Sequence, residues 1–322
     1  FILYAMTMAS IGAFAFPARD AMLSRVIGES RPGRMQRAVG FAISTQNAAQ
    51  IIGILIAGQA QLLGLYVLPL IVGTSYLSCA LAIRQVAPAP PAFDPDRTSS
   101  TFAARVQHQM ADIREGIAES WHSERIRAVM IMMFFSSVLF IGAFMVMLPL
   151  MVRDIYGGDA FMLSTMLLCF TGSIGLSSWL IAHRPVRRQG RTMMLSSLSG
   201  AVVMVVLHFE QPLWAFFALV IVWGLFGGIS SSMSRTIVQT AAVPSHRARI
   251  LSVFTLATFA AGAPIGSLLT GYLIAEFGIY NTALFAPASM VFIWLGVRLF
   301  TPLWQIEDDS EPATYEDPLH QN

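Results

Sequence analysis

The sequence contains no lysine, and all 20 of its basic residues are arginine. This absence excludes the chemistries that depend on a lysine amine: the phosphate-binding Walker loop, pyridoxal Schiff bases and retinal linkage. An ATPase is therefore excluded. Cysteine is almost as scarce, because only Cys79 and Cys169 occur and each lies in an apolar stretch. Small buried hydrophobes are the better interpretation of both, rather than a disulfide or a ligand pair.

Charge is also scarce, since 12% of the 322 residues are charged and 55% are hydrophobic. A soluble domain carries about a quarter charged residues, so a soluble globular protein is excluded. A membrane-spanning helix needs about 20 mostly apolar residues. Nine stretches without Asp, Glu or Arg fit this pattern, approximately residues 1–16, 38–60, 64–83, 128–152, 160–182, 192–208, 212–233, 250–274 and 280–297. The sequence predicts an all-α integral membrane protein with nine transmembrane helices.

The arginines predict the orientation of these helices. Nineteen of the 20 fall in alternate connections, and Arg153 alone lies in the others, together with Asp154, Asp159, Glu210 and Glu276. Positively charged loops stay on the cytoplasmic side. We therefore expect a protein integral to the cell membrane (the inner or plasma membrane), with a cytoplasmic C-terminus. The chain opens on Phe1 inside an apolar run, which predicts that it is N-terminally truncated.

One long connection, residues 84–127, begins with a proline cluster and continues as an amphipathic helix. Its apolar stripe recurs at steps of three and four residues, at Phe102, Val106, Met110, Ile113, Ile117 and Trp121. The segment is predicted to lie along the inner membrane surface, as a simple linker between two bundles or as a sensor of a partner or lipid. Residues 301–322 are rich in Asp and Glu and are predicted to form a disordered cytoplasmic tail.

An internal repeat predicts how the helices are grouped. Gly12 to Arg19 corresponds to Gly228 to Arg235, and Gly53 corresponds to Gly266. The two units run in the same direction, and the helix count between them gives six helices per repeat. Residues 1–83 are then the C-terminal three helices of a first half, residues 84–127 a cytoplasmic linker, and residues 128–300 a complete six-helix second half.

These features resemble the major facilitator superfamily (MFS), over almost the whole chain. The best local matches are residues 238–244 (VQTAAVP), 262–271 (GAPIGSLLTG), Phe16-Pro17-Ala18-Arg19 and Glu115-Gly116-Ile117. They are similar to the exporter branch that includes enterobactin and macrolide efflux proteins, the transmembrane secretion effectors. The resemblance implies two six-helix halves, with family helices 4 to 12 present here and the first three missing.

The family's cytoplasmic loop signature, an acidic residue followed by Arg-x-Gly-Arg-Arg, maps onto residues 187–192 (RRQGRT). The acidic position holds Arg187, and the last arginine position holds Thr192. This departure weakens the expectation of a charge-paired gate. Anchoring by the positive-inside rule explains these arginines as well as gating does.

Polar and aromatic residues within the spans predict the substrate pathway, because an unpaired amide is costly in hydrocarbon. By resemblance, the first, fourth and seventh visible helices line the central cavity. The pathway candidates are Tyr4, Thr7, Ser10, Gln46, Asn47, Gln50, Ser136, Phe140, Phe144, Trp223 and Ser230. The methionines of the fourth helix would add an adaptable apolar surface. The gating and packing candidates are Arg19, Arg235, Arg184, Arg188, Gly190, Arg191, Gly53, Gly262, Pro264 and Gly266.

Two classes of function compete. The favoured one is a secondary active transporter, an exporter of an amphipathic small molecule (drug or siderophore type) that works as a proton antiporter by alternating access. The alternatives are an integral membrane enzyme, which would need intramembrane His, Asp or Glu, and a non-transporting remnant. All six histidines lie in connections, at span ends or in the tail. We expect no enzyme activity, metal, cofactor or nucleic-acid partner, and a monomer in the lipid bilayer.

The visible spans contain no carboxylate or histidine at membrane depth. Proton antiport needs such a group. We therefore expect the residue that couples transport to H+ to lie on the missing helices, so that this chain alone would not catalyse uphill transport.

Overall fold

The computed structural model describes residues 34–58, 67–85, 114, 116–184, 186–242 and 247–306. Within these ranges the regular structure is entirely helical. Six of the helices are long and apolar enough to cross a membrane. The protein is therefore an all-α membrane protein, as the sequence predicted. The predicted span 1–16, with Tyr4, Thr7 and Ser10, lies outside the described residues, and so does Arg19.

Eight helices follow one another along the described chain. Six of them are α1 (Arg34–Gly58), α2 (Val67–Ile83), α3 (Glu124–Ile155), α4 (Ala160–His183), α5 (Gln189–Leu207) and α6 (Leu213–Ala241). The last helical stretch is divided at Gly278, whose φ of 79° and ψ of 167° are not helical, into α7 (residues 247–277) and α8 (residues 279–300). A side chain rarely adopts that φ, so glycine suits the break. All eight helices overlap predicted spans, and the two-half arrangement stays a prediction.

Contacts between helix ends define two ends of the bundle. At one end, Gln36 of α1 bonds the backbone of Arg184, which follows α4. At the other end, the Tyr156 hydroxyl donates to the carbonyl of Gln211, and a ring nitrogen of His208 bonds the carbonyl of Tyr280. We call the first the arginine-rich end, because Arg34, Arg184, Arg191 and Arg298 lie there, and the second the opposite end.

Methionine dominates the interior of the helix bundle. Among the largest fully buried side chains are Met132, Met147, Met151, Met166, Met193, Met194, Met204 and Met233. Large apolar side chains also cover the outside, where Phe161 is 79% exposed and Phe292 is 76% exposed. An apolar exterior is what a lipid-facing surface requires, whereas a soluble protein keeps exposed apolar patches small.

Helices α3 and α7 touch each other through their backbones. Each contains π-helical segments, at Ser137–Ile141 and Met151–Ile155 in α3 and at Leu256–Gly262 in α7. A π segment interrupts the regular ladder of hydrogen bonds. The Ser137 hydroxyl donates to the carbonyl of Thr258 across the two helices. A Cβ added at Gly142 would collide with the backbone of Gly266, so the crossing requires glycine.

Three predicted boundaries are corrected by the structure. Helix α1 begins at Arg34, so residues 34–37 belong to the helix and not to the preceding connection. Helix α6 continues to Ala241, so Arg235, predicted just beyond a helix end, lies inside the helix. At about 1.5 Å per residue, the 29 residues of α6 extend to roughly 43 Å, longer than the about 30 Å of membrane hydrocarbon.

The third correction concerns the predicted disordered tail, residues 301–322. Its first residues are ordered, because Pro302–Gln305 form a 3-10 turn and Leu303 is fully buried. We call residues 301–306 the C-terminal segment.

The predicted linker helix is described only at Arg114 and residues 116–122. Gly116 and Ser120 form its buried face, and a Cβ added at Gly116 would lie 3.1 Å from a methyl carbon of Val253 on α7. Ile117 and Trp121, of the predicted apolar stripe, are 46% and 56% exposed. These two residues thus face away from α7, whereas the other four residues of the stripe lie outside the described residues. Contact of the stripe with the membrane surface stays a prediction.

Candidate functional site

Three of the predicted pathway residues meet in one cluster with a fourth aromatic ring. Phe140 and Phe144 come from α3 and Trp223 from α6, and they surround Phe170 of α4. The rings of Phe144 and Phe170 stack with centroids 4.1 Å apart, while Trp223 meets Phe144 edge-on at 6.2 Å and Phe170 at 5.7 Å. Trp223 also meets Phe140 edge-on at 6.2 Å. We call these four residues the aromatic cluster.

The aromatic cluster is tightly packed. Phe140, Phe144 and Trp223 are each at most 8% exposed. Stacked and edge-on ring pairs contribute about 0.5–1.5 kcal/mol each beyond their burial. Gly200 of α5 completes the packing, because a Cβ there would lie 3.3 Å from atoms of both Phe140 and Trp223. The cluster therefore joins α3, α4, α5 and α6 through one apolar contact region.

Polar groups adjoin the aromatic cluster on the side of the arginine-rich end. The hydroxyls of Ser197 on α5 and Ser230 on α6 are 3.3 Å apart and buried. On α3, one turn before Phe140, the Ser136 hydroxyl oxygen is buried and has no hydrogen-bond partner among the residues that the structure describes. A buried hydroxyl without a partner costs about 1–3 kcal/mol. Ser136 is thus the predicted pathway residue whose hydroxyl could form a hydrogen bond with a substrate.

The methionines of α3 that were predicted to line the pathway divide into two groups. Met132 and Met147 are fully buried, and Met130 and Met133 are partly buried against the core. Met145 is 57% exposed on the outside of the bundle. The predicted adaptable surface therefore does not include Met145.

The predicted polar set of α1 does not point in one direction. Asn47 is 8% exposed, and its side chain donates to the carbonyl of Ile43 one turn earlier. Gln46 is half-buried and Gln50 is exposed. Successive residues of a helix lie about 100° apart, so Asn47 faces α4 while Gln46 and Gln50 lie to one side. Gly53, further along α1, would accept a Cβ without a neighbour within 4 Å.

Gln36, which joins α1 to α4 at the arginine-rich end, was not predicted from the sequence. The Gln36 side chain is 2% exposed and makes three hydrogen bonds. Its amide nitrogen donates to the carbonyls of Ile181 and Arg184 at 2.9 and 2.8 Å, and its amide oxygen accepts from the backbone of Val186 at 3.1 Å. Because the last carbonyls of a helix lack partners within it, Gln36 caps the end of α4. We call this arrangement the Gln36 clasp.

Small residues continue the contact between α1 and α4 beyond the Gln36 clasp. A Cβ added at Gly40 would lie 2.8 Å from the Cβ of Ala182, and the Ser44 hydroxyl donates to the carbonyl of Gly175 at 3.0 Å. Towards the opposite end, Ile52 and Leu55 of α1 are 57% and 54% exposed. The helix pair is thus held by hydrogen bonds and small residues at the arginine-rich end. It stays packed further along, where a Cβ added at Gly172 would lie 3.7 Å from the side chain of Ile51.

The residues of the loop signature lie between the Gln36 clasp and the C-terminal segment. The carbonyl of Arg184 accepts from Gln36, whereas Arg188 precedes the first turn of α5. Gly190 donates its backbone N–H to the carbonyl of Ile306, and a Cβ at Gly190 would collide with the carbonyl of Leu303. Arg191 lies over the ring of Trp304 at 4.9 Å. Gly190 and Arg191 therefore contact the C-terminal segment.

The predicted packing residues of α7 face α3. A Cβ at Gly262 would lie 2.8 Å from the Ser137 hydroxyl, and a Cβ at Gly266 would collide with the carbonyl of Val138. Pro264 lies between them in the first turn after the π segment, where proline needs no backbone hydrogen bond. Both glycines therefore allow close approach of two backbones. Their predicted part in gating stays a prediction.

The carboxylates and histidines of the described membrane-spanning helices lie at or beside the helix ends. Within the described ranges, no group of three or more His, Cys, Asp or Glu side chains could hold a metal ion. Arg153 and Asp154 form an exposed ion pair at the opposite end. Burial raises the pKa of the nearby Tyr156 hydroxyl. It therefore stays protonated and donates to the carbonyl of Gln211.

Comparison with known proteins adds two findings. A family model described as Major Facilitator Superfamily matches residues 1–262. A multidrug efflux pump, Tap, of Mycolicibacterium fortuitum is 27% identical over 314 residues, which are 95% of this chain and 74% of that protein. The resemblance predicted from the sequence motifs is thereby confirmed, and it covers the helices that hold the aromatic cluster and the Gln36 clasp.

Proposed function

The chain belongs to the major facilitator superfamily, and from this premise we propose that it is a secondary exporter of lipophilic or amphipathic small molecules that works by alternating access. Membership points to a membrane transporter and not to an enzyme. The similarity to a multidrug efflux pump supports outward transport. The absence of lysine excludes a Walker loop, so we propose an ion gradient, with H+ as the coupling ion, as the source of energy.

One observation carries the proposal of alternating access: α1 is closed against α4 at the arginine-rich end by hydrogen bonds that a separation of the helices would break. At the arginine-rich end, three hydrogen bonds of Gln36 and the close approach at Gly40 hold the two helices together. Towards the opposite end, Ile52 and Leu55 are exposed. With the arginine-rich end in the cytoplasm, this is the arrangement of a transporter that is closed inside. Opening inwards would break the Gln36 clasp.

The aromatic cluster supports an apolar substrate. Its four rings and the nearby Ser197, Ser230 and Ser136 hydroxyls offer stacking surfaces with a few hydrogen-bonding groups, which is the composition of small-molecule sites. The buried methionines around it can change shape at low cost, as a site for varied lipophiles requires. We propose that substrate contacts the cluster when α1 and α4 separate.

The residue that couples transport to H+ is proposed to lie outside the described helix interiors. Among the described residues, Asp154 and Asp159 flank the connection after α3, while Glu210 and Glu276 lie near the ends of α5 and α7. These carboxylates lie at the helix ends, whereas proton antiport needs a carrier at membrane depth.

An efflux measurement tests the proposed function. Cells expressing the full-length protein that contains this chain are loaded with a fluorescent lipophilic cation, because the chain alone is not expected to catalyse uphill transport. Loss of the cation is followed with and without a protonophore. We expect export that the protonophore abolishes, and we expect Trp223→Ala to reduce it about tenfold or more. Trp214→Ala is the matched control, because Trp214 begins the same helix and is 75% exposed. Equal export by cells with and without the full-length protein would contradict the proposal.

A further inference from the structure

The start of α5 lacks the side chain that usually caps a helix. Arg188 occupies the position before the first turn and makes no capping hydrogen bond with its side chain. Serine, threonine, aspartate or asparagine at this position normally accepts from one of the first free backbone N–H groups. Here the N–H of Gly190 is instead bonded by the carbonyl of Ile306, at 3.2 Å. The C-terminal segment thus supplies the cap that the local sequence does not.

The C-terminal segment is fixed in this position by several contacts. Leu303 is fully buried and Ile306 is 6% exposed. The ring of Trp304 meets that of Trp294 on α8 edge-on at 5.7 Å, and the guanidinium groups of Arg191 and Arg298 each lie 4.9 Å from its centroid. A cation near an aromatic face contributes about 0.5–1 kcal/mol at an exposed site. These contacts attach the segment to both α5 and α8.

Only three residues, 187–189, separate the part of the loop held by Gln36 from the part held by the C-terminal segment. Val186 donates to Gln36, and Gly190 donates to Ile306. Consecutive Cα atoms are about 3.8 Å apart, so a shift of Gly190 is transmitted to Val186 over a chain of at most about 15 Å. Gln189, within this stretch, is 4% exposed and has little room to absorb a displacement.

We propose that the C-terminal segment is a positioning element for closure of the arginine-rich end, because it holds the 184–190 loop in the shape that Gln36 binds. Gly190 and Trp304 are positioning residues in this scheme, since they act on the Gln36 clasp through the loop. The inference rests on the proposed function, in which opening and closing of this end is a step of transport. It also explains how the loop can be ordered without the acidic residue of the family signature.

Two truncations and one substitution test the inference. A chain that ends at Ile306 loses only residues 307–322, whereas a chain that ends at Thr301 also loses residues 302–306, all of the C-terminal segment but its first residue. Gly190→Ala keeps the whole chain but places a Cβ against the carbonyl of Leu303. Gly296→Ala is its matched control, because no atom lies within 4 Å of that Cβ.

The measurement is the rate at which a maleimide modifies a cysteine at position 182, in a chain whose Cys79 and Cys169 are replaced by alanine. Ala182 is 5% exposed and lies against Gly40, so modification requires α1 and α4 to separate. We expect the chain ending at Ile306 and Gly296→Ala to react like the parent chain. The chain ending at Thr301 and Gly190→Ala should react about tenfold faster, the effect of losing roughly one well-formed hydrogen bond.

A cysteine at Val220, which is fully buried in α6, reports unfolding in the same assay. If the chain ending at Thr301 exposes this site, Gly190→Ala decides the outcome. Unchanged reaction at position 182 in Gly190→Ala, or in a folded chain ending at Thr301, would overturn the inference. The labelling does not depend on transport, so a full-length protein that shows these rate differences but exports nothing would contradict the proposed function alone.

Discussion

Replacing Gln36 by leucine should open the arginine-rich end of the molecule. Leucine has nearly the size of glutamine but makes none of its three hydrogen bonds, to the backbones of Ile181, Arg184 and Val186. The change therefore removes the Gln36 clasp while leaving the volume of the site filled. The effect should be confined to the closed state, because the freed backbone groups reach water when α1 and α4 separate.

The size of the effect follows from the three bonds. A hydrogen bond contributes about 0.5–1.5 kcal/mol net, and more is lost when its partner stays buried. The carbonyl of Ile181 keeps a second bond, from the backbone of Arg184 at 3.2 Å, which reduces the loss. We therefore expect the closed state to lose about 2 kcal/mol, which corresponds to roughly a 30-fold change in the ratio of closed to open molecules.

Maleimide modification of a cysteine at position 182 measures this ratio directly. Modification should accelerate by roughly the same 30-fold factor while the closed state remains the majority. Gln85→Leu is the matched control, because Gln85 is exposed beyond α2. Gly40→Ala is a positive control, because its added Cβ lies 2.8 Å from Ala182 and forces the helices apart. If Gln36→Leu matched Gln85→Leu while Gly40→Ala reacted faster, Gln36 would have no part in closure.

Three further changes test other parts of the structure. Cysteines at Glu210 and Glu276, both exposed at the opposite end, should react with an impermeant reagent added outside intact cells, whereas a cysteine at Arg187 should react only after permeabilisation. Labelling of position 187 from outside would reverse the orientation. Gly142→Ala should lower the free energy of unfolding in detergent by about 1–3 kcal/mol, because its Cβ meets the Gly266 backbone. Gly271→Ala is the control: its Cβ has no neighbour within 4 Å, so the unfolding temperature should stay unchanged or rise. Ser136→Ala should leave the free energy of unfolding equal or about 1 kcal/mol higher, because it removes a buried oxygen without a partner among the described residues. It should slow efflux if that hydroxyl meets substrate, and efflux at the wild-type rate would remove Ser136 from the pathway.

The positions of the helices could be predicted because the bilayer imposes a simple pattern on the sequence. Apolar runs between arginine clusters located α1 to α8, and the glycine at the α7–α8 break fell in a predicted connection. The helix ends were less predictable, because α1 and α6 extend past the apolar runs with polar residues such as Gln36 and Arg235. Such residues face the protein rather than lipid, and hydropathy does not register that difference.

The candidate site was only partly accessible to sequence reasoning. Phe140, Phe144 and Trp223 could be named as pathway residues. Phe170, the ring that contacts Phe144 and Trp223, carries no signal that separates it from a lipid-facing ring. Gln36 was overlooked because it lies next to arginines in a segment assigned to a connection. Its role depends on the end of α4, because Ile181 lies 145 residues from Gln36 in sequence but directly beside it in space. Contacts of that kind are set by tertiary packing.

The methionine-rich interior has a chemical consequence for the protein under oxidative conditions. Oxidation converts the thioether of methionine into a polar sulfoxide, whose oxygen needs a hydrogen-bond partner. At a fully buried position such as Met132, Met193 or Met204, an apolar core surrounds that oxygen, so a single oxidised residue would weaken the packing of several helices. Met145, on the outside of the bundle, is not part of this core, so its oxidation would leave the core packing intact. In the alternating-access scheme proposed above, each opening that admits water to the interior would also admit oxidants, so closure would protect the core.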